Sequence, residues 1–251
     1  MELVNYSIEL ILIVFVVAIV AGLLDTLAGG GGLITIPALM LTGMPPLSAL
    51  ATNKLQGSMG TATATILLFK SKKITWQKSK AIMFTAFIGA ILGTFCVQLI
   101  DTQLLTIFIP SVLVIIAIYF IISPQVSADS KLVEPYYKNL IVPLIGFYDG
   151  MFGPGTGSFF AMAGRACRAL PIVDSIAQAK PLNFATNVAS LFVFIASGHV
   201  VWLIGGIMMV GQLIGSWLGT HCLFKINPNY LRWLVVIMCI SMLLKYLLAM
   251  T

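Results

Sequence analysis

The chain has 251 residues, of which 59% are hydrophobic and 9% charged, with 14 Lys/Arg against 8 Asp/Glu. A soluble domain carries about 25% charged residues, so this surface cannot be wetted by water. An ordinary soluble enzyme, a coiled coil and a disordered chain are excluded. The composition reads as a single all-α polytopic membrane domain over 1–251.

The formal charge of +6 is concentrated rather than spread. Lys70, Lys72, Lys73, Lys78 and Lys80 lie in one run between two apolar segments. Such a loop is a cytoplasmic retention signal, so no nucleic-acid partner is read from the basic balance. One acid and no cation precede the first apolar run, which lacks the basic region of a cleaved signal; residues 8–24 are expected to stay as a helix. Cys96, Cys167, Cys222 and Cys239 have no CxxC spacing and read as packing residues, and neither metal nor other cofactor is expected.

In chain order the apolar segments fall at 8–27, 33–42, 47–69, 81–100, 104–122, 139–152, 157–164, 181–197, 200–223 and 230–249. A full span needs about 20 apolar residues, which makes 8–27 and 181–197 marginal. Segments 33–42, 139–152 and 157–164 are too short to cross alone. Each borders a glycine-rich break, Gly29-Gly30-Gly31-Gly32 or Gly153-Pro154-Gly155-Thr156-Gly157. Short apolar segments split by Gly and Pro at matching places in two halves point to a transporter binding site.

The halves match in detail. An offset of 126 pairs Ala51 with Ala177, Lys54 with Lys180, Trp76 with Trp202, Gly89 with Gly215, Gly93 with Gly219 and Cys96 with Cys222. An offset of 124 pairs Gly22 with Gly146, Asp25 with Asp149, Gly29 with Gly153 and Gly31 with Gly155. Trp and Lys are scarce here, so their coincidence marks an internal duplication. Repeat one covers about 8–122 and repeat two about 139–249, joined by a cytoplasmic linker at about 123–138. Each would hold a glycine-broken helix or hairpin and three spanning helices, about eight membrane segments in all.

Two stretches carry a family resemblance. Asp25-Thr-Leu-Ala-Gly-Gly-Gly-Gly-Leu33 followed by Ala51-Thr-Asn-Lys-Leu55, and Gly146-Phe-Tyr-Asp-Gly-Met-Phe-Gly-Pro-Gly-Thr-Gly-Ser158, resemble the two half-signatures of the sulfite exporter TauE/SafE family, also called the 4-toluene sulfonate uptake permeases. The resemblance covers nearly the whole chain. It implies a multi-pass protein of the bacterial inner membrane, usually of eight helices, that carries small sulfur-containing anions; it does not identify the solute.

The residues supply a chemistry of their own. Four consecutive glycines disfavour continued helix by about 1 kcal/mol each relative to alanine. A half-helix restarting at Leu33 or Ser158 would present free N–H groups and a partial positive charge, an end suited to an oxyanion. Gly29, Gly30, Gly31 and Gly32 are therefore candidate solute contacts, as are Gly153, Gly155, Gly157 and Ser158. The bland alternative is close helix crossing. Packing is the preferred reading for Gly89, Gly93, Gly211, Gly215 and Gly219, which are spaced for one helix face.

Lys54 and Lys180, beside Asn53, Gln56, Asn183 and Asn187, are read as anion contacts at helix starts. Snorkelling to the interface is the alternative. Asp25 and Asp149 would cap the breaks or pair with the lysines; a relay for a coupling proton or cation is the sharper role. The Walker-like run Gly153–Ser158 has Ser where lysine is required, and no Ser–His geometry is fixed with His199 or His221. The expected function is a secondary anion carrier working by alternating access, with a passive anion channel as alternative and an intramembrane enzyme further behind.

The positive-inside rule orients the chain. The basic loop lies in the cytoplasm, residues 101–103 outside and 123–138 inside. Arg165 and Arg168 return to the cytoplasm if 139–164 is a re-entrant hairpin, and both termini lie outside. The stretch Ala196–Gly206, which corresponds to the basic loop, has no Lys or Arg, as antiparallel repeats require.

Overall fold

The computed structural model describes residues 7–122 and 134–225. The expected span at 230–249, Cys239 and residues 123–133 of the linker lie outside them. The described chain is helical: α1 (Ile8–Ala28), α2 (Gly32–Leu41), α3 (Pro46–Lys70), α4 (Trp76–Gln98), α5 (Thr102–Ile122), α6 (Glu134–Tyr136), a π-helical stretch (Tyr137–Ile141), α7 (Val142–Met151), α8 (Thr156–Arg168), α9 (Ile172–Ala196) and α10 (Trp202–Cys222).

Four of these helices, α1, α4, α9 and α10, are long and apolar enough to cross a membrane. The marginal segments at 8–27 and 181–197 thus both belong to helices of full spanning length. Pro181 misled the second boundary: α9 starts at Ile172 behind an extended Pro171 and runs through Pro181. Segment 47–69 departs the other way. It lies in α3, whose 25 residues suffice in length, yet α3 is not among the four apolar spans. Its inward positions carry Thr52, Asn53, Lys54, Gln56, Ser58, Thr61 and Thr65, all buried. Polar side chains in a membrane helix are tolerated where they face protein or a cavity.

The packing explains that tolerance. α3 crosses α9, and these two are enclosed by α10 on α3 and α4 on α9; α1 lies on α10 and α7 on α4. Apolar side chains exposed on α1 (Leu12, Ile13, Val16), α4 (Phe84, Ile88, Leu92) and α10 (Val210, Leu213, Trp217) form the outer surface. An exposed apolar shell over a polar interior is the arrangement that lipid, not water, selects.

Glycines set the two outer interfaces. A Cβ on Gly89 would strike Pro143 O and one on Gly93 would strike Phe147 O, across α4 and α7. A Cβ on Gly215 would strike Ile19 O, and one on Gly219 would stand 2.9 Å from Leu23 O, across α10 and α1. Gly22 against Gln212 O is answered by Gly146 against Ala86 O. Every partner in one interface corresponds to its counterpart at the offsets of 124 and 126, so the α1–α10 contact is reproduced by α7–α4. The packing reading of these glycines is the one the structure bears out.

The basic run spans the end of α3 (Lys70), the turn that follows (Lys72, Lys73) and the start of α4 (Lys78, Lys80), with all five lysines exposed. The turn between α9 and α10, residues 197–201, carries His199 alone among titratable groups. Single cysteines at Lys73 and His199 are expected to label from opposite sides of the membrane. Labelling of both from one side sinks the inverted arrangement.

Candidate functional site

The two glycine breaks meet at the centre of the molecule. Gly29 ends α1 in the left-handed conformation (φ +78°), donating its N–H to Asp25 O at 2.7 Å. A Cβ there would run into the backbone of Gly157 and Ser158, and a Cβ on Gly157 would stand 2.6 Å from Gly29 Cα. Ser158 Oγ donates to Ala28 O, which ties the start of α8 to the end of α1. Only glycine at both positions allows the backbones this approach. Gly155 (φ +76°) and Gly153 (φ +90°) turn the chain into α8. Leu33 N–H bonds to Gly30 O at 3.0 Å, so the first turn of α2 is tightened onto its own break.

Most of this contact is sealed, and Gly32 and Gly153 are its half-buried members. Gly32 has room: a Cβ would find Pro154 Cα at 3.4 Å and Asn53 Nδ2 at 3.6 Å. Thr35 Oγ1 donates to Asn53 Oδ1 at 2.5 Å and Gln56 Nε2 donates to the same oxygen at 3.0 Å. That fixes the Asn53 amide with its N–H₂ toward the start of α2. Across the crossing, Asn187 Nδ2 donates to Asn183 O at 2.8 Å. Asn183 Nδ2 stands 3.4 Å from where a Gly157 Cβ would be, beside the start of α8. An amide donor therefore stands next to the N-terminus of each half-helix.

The charged residues pair across the halves. Lys54 Nζ lies 2.9 Å from Asp149 Oδ1, both side chains being at most 2% exposed. Lys180 Nζ donates to Asp25 O and lies 3.9 Å from Asp25 Oδ2. The second arrangement places a cation on the C-terminal carbonyls of α1, where the helix dipole favours it. Each carboxylate also serves the break of its own half: Asp25 Oδ1 accepts from Gly31 N–H at 3.2 Å, and Asp149 Oδ1 from Thr156 Oγ1 at 2.7 Å.

Two sequence expectations change here. The lysines do not sit at helix starts: each is the ninth residue of its helix, α3 from Pro46 and α9 from Ile172. Proline at 45 and 171, in register with each other, precedes both helices: α3 begins at Pro46, beside the apolar segment at 47, whereas α9 begins at Ile172, well before the segment at 181. Snorkelling has no place either, since both lysines are 1% exposed with their ammonium groups held by the other half. Of the roles weighed for the aspartates, capping or pairing as against a relay, the geometry contains the first, with both capping and pairing contacts.

Thr35 and Thr156 were not singled out from the sequence. A signal existed for Thr156, which stands where the offset of 124 places Gly32 and so breaks the repeat inside its own motif. Thr35 had none, because its role depends on α3 lying beside α2.

The family model for the sulfite exporter TauE/SafE matches residues 14–246. A probable membrane transporter protein of Haemophilus influenzae is 36% identical over 244 residues, covering 96% of each chain. The Escherichia coli K12 probable membrane transporter protein YfcA is 36% identical over 238 residues, 94% of this chain and 88% of its own. The Bacillus subtilis probable membrane transporter protein YunE is 22% identical over 260 residues, covering 92% and 94%. No solved structure matches.

Proposed function

We propose a mechanism from one premise: the chain belongs to the sulfite exporter TauE/SafE family and is a probable membrane transporter. It is a secondary carrier of a small anion, most readily a sulfur oxyanion such as sulfite or a sulfonate, seated in the inner membrane of a bacterium. Two inverted repeats, 8–122 and 139–249, form it, and the solute site lies where their broken helices meet. Alternating access moves one repeat against the other around that site.

The single observation that carries this reading is the facing pair of breaks, each with an amide beside a half-helix N-terminus. Gly32 is half-buried and faces the Asn53 amide; Gly157 and Ser158 face the Asn183 side. Amide donors suit an oxyanion, and a half-helix N-terminus adds its dipole. The matching α1–α10 and α7–α4 interfaces support the repeat. The ion pairs leave the lysines neutralised in this state, so the amides and backbone make the first contacts.

Counterflow in proteoliposomes tests this. Preloading with unlabelled sulfite or methanesulfonate is expected to accelerate uptake of the labelled anion. Uptake without trans-stimulation would make the protein a channel, and no uptake of either anion would remove the sulfur-oxyanion reading.

A further inference from the structure

We infer that Asp149 is the proton-carrying group of this transporter, and that the anion and Asp149 compete for Lys54. The inference rests on the anion-carrier reading above and names its coupling ion.

The two cross-pairs look equivalent in sequence and differ in geometry. Lys180 is satisfied by a backbone carbonyl of α1, and Asp25 Oδ1 by the Gly31 N–H. Those contacts hold without any help from a carboxylate–ammonium bond. Lys54 and Asp149 face each other directly: Nζ stands 2.9 Å from Oδ1, and among the described residues the ammonium makes no further hydrogen bond and Asp149 Oδ2 is buried with no hydrogen-bond partner. An ammonium has three protons to donate and a carboxylate can accept at both oxygens. Two donor directions and one whole oxygen are therefore unspent in a buried place, where unspent polar atoms are costly.

A break glycine stands directly against this pair. Gly153, half-buried and left-handed, stands against it: a Cβ there would be 3.2 Å from Lys54 Nζ and 3.4 Å from Asp149 Oδ1. An anion arriving at the break between Gly153 and Gly32 meets the free donor directions of Lys54. The other groups around Asp149 do not substitute for it. Thr156 donates to Oδ1, the neighbouring Tyr148 spends its hydroxyl on Pro154 O at 2.7 Å, and Asp25, the other buried acid, is engaged with Lys180.

Charge conservation supplies the coupling. The empty site is neutral, with one ammonium and one carboxylate. A monoanion that takes Lys54 leaves Asp149 buried without a counter-charge, which is the costly state of a broken buried pair. A proton that enters with the anion then forms an O–H bond on the bare Oδ2, and the site is neutral again: Lys54 with the anion, Asp149 as the acid. Release of the anion on the other side returns Lys54 to Asp149 and expels the proton there. One proton therefore travels with each monoanion, and the cycle moves no net charge.

The test uses the full chain in proteoliposomes with methanesulfonate, a monoanion throughout the working pH range, and a trapped pH dye. Wild-type uptake is expected to acidify the lumen and to be unaffected by an imposed potassium-diffusion potential. Asp149→Asn is expected to lose the proton signal that accompanies anion movement; Lys78→Met, in the exposed basic run, is expected to keep both uptake and proton signal. Anion uptake by the wild type with no lumenal acidification, or with a rate that follows the potential, overturns the inference while leaving the carrier reading standing. Proton signal retained in Asp149→Asn also overturns it. The wild-type measurements can overturn the inference even if the variant does not fold. Absence of any anion uptake overturns the carrier reading itself, and this inference with it.

Discussion

Lys54→Met is expected to destabilise the folded protein by about 3–5 kcal/mol, the cost of leaving one member of a buried ion pair without its partner. The stranded group is Asp149, which is 1% exposed and loses the ammonium at 2.9 Å. Lys180→Met should fall in the same direction, since it bares the Asp25 carbonyl and carboxylate together. Lys78→Met, on the exposed first turn of α4, should change nothing measurable. Replacing both members of one pair, Lys54→Met with Asp149→Asn, should restore most of the thermal stability, because neither side chain is then a stranded charge. It should not restore transport. At equal membrane expression the folded fraction of Lys54→Met should bind anion more weakly by about 1.5–3 kcal/mol, roughly ten- to a hundredfold. Melting in detergent and anion binding are the two readouts. Equal melting of Lys54→Met, Lys180→Met and Lys78→Met would mean the ammonium groups are not buried in pairs.

Alanine at Gly29 should abolish transport and lower stability sharply. The left-handed backbone costs a non-glycine residue about 1–2 kcal/mol, and a Cβ driven into Gly157 and Ser158 costs roughly 1–3 more through overpacking. Gly157→Ala meets the same contact from the other side, with Gly29 Cα at 2.6 Å. Gly31→Val and Gly155→Val should fail for different local reasons: the first presses on Asp25 Cβ at 2.7 Å, and the second forces a branched residue into φ +76°. Gly32 separates structure from transport. Its Cβ would have 3.4 Å of clearance, so Gly32→Ala should melt within about 1 kcal/mol of wild type. It should still slow uptake, because the added methyl occupies the half-buried face beside the Asn53 amide. Wild-type uptake by Gly32→Ala would move the solute site away from α2.

Hydropathy arithmetic decided the solvent. With 9% charge and 59% hydrophobic residues, no water-soluble fold was open to the chain. Local rules decided the breaks as well: Gly29–Gly32 and Gly153–Gly157 interrupt helices wherever they occur, because glycine is poor in helix and free at positive φ. The spacing of Gly89, Gly93, Gly211, Gly215 and Gly219 announced close-packed faces, and those faces exist. Such features depend on a residue and its near neighbours, so a linear reading reaches them.

Partnership depended on more. Asp25 lies 155 residues from Lys180, and Asp149 lies 95 residues after Lys54; the offsets relate Asp25 to Asp149 and Lys54 to Lys180 without saying which acid meets which base. Pairing within each half was as compatible with the sequence as pairing across halves. The crossing of α3 on α9, which carries the lysines past each other to the opposite breaks, chose the second. Helix ends were misread for a related reason. Hydropathy drops at the polar residues of α3 and at Pro181, so Lys54 and Lys180 looked like the beginnings of helices. Both lie two turns inside, because a helix wrapped by other helices needs no apolar face there, and its backbone hydrogen bonds are satisfied whatever its side chains. What the sequence cannot carry is the unequal state of two equivalent pairs: one ammonium resting on a carbonyl, the other on a carboxylate with an oxygen to spare. That difference arises only from packing distances, and it is where the chemistry of transport is expected to lie.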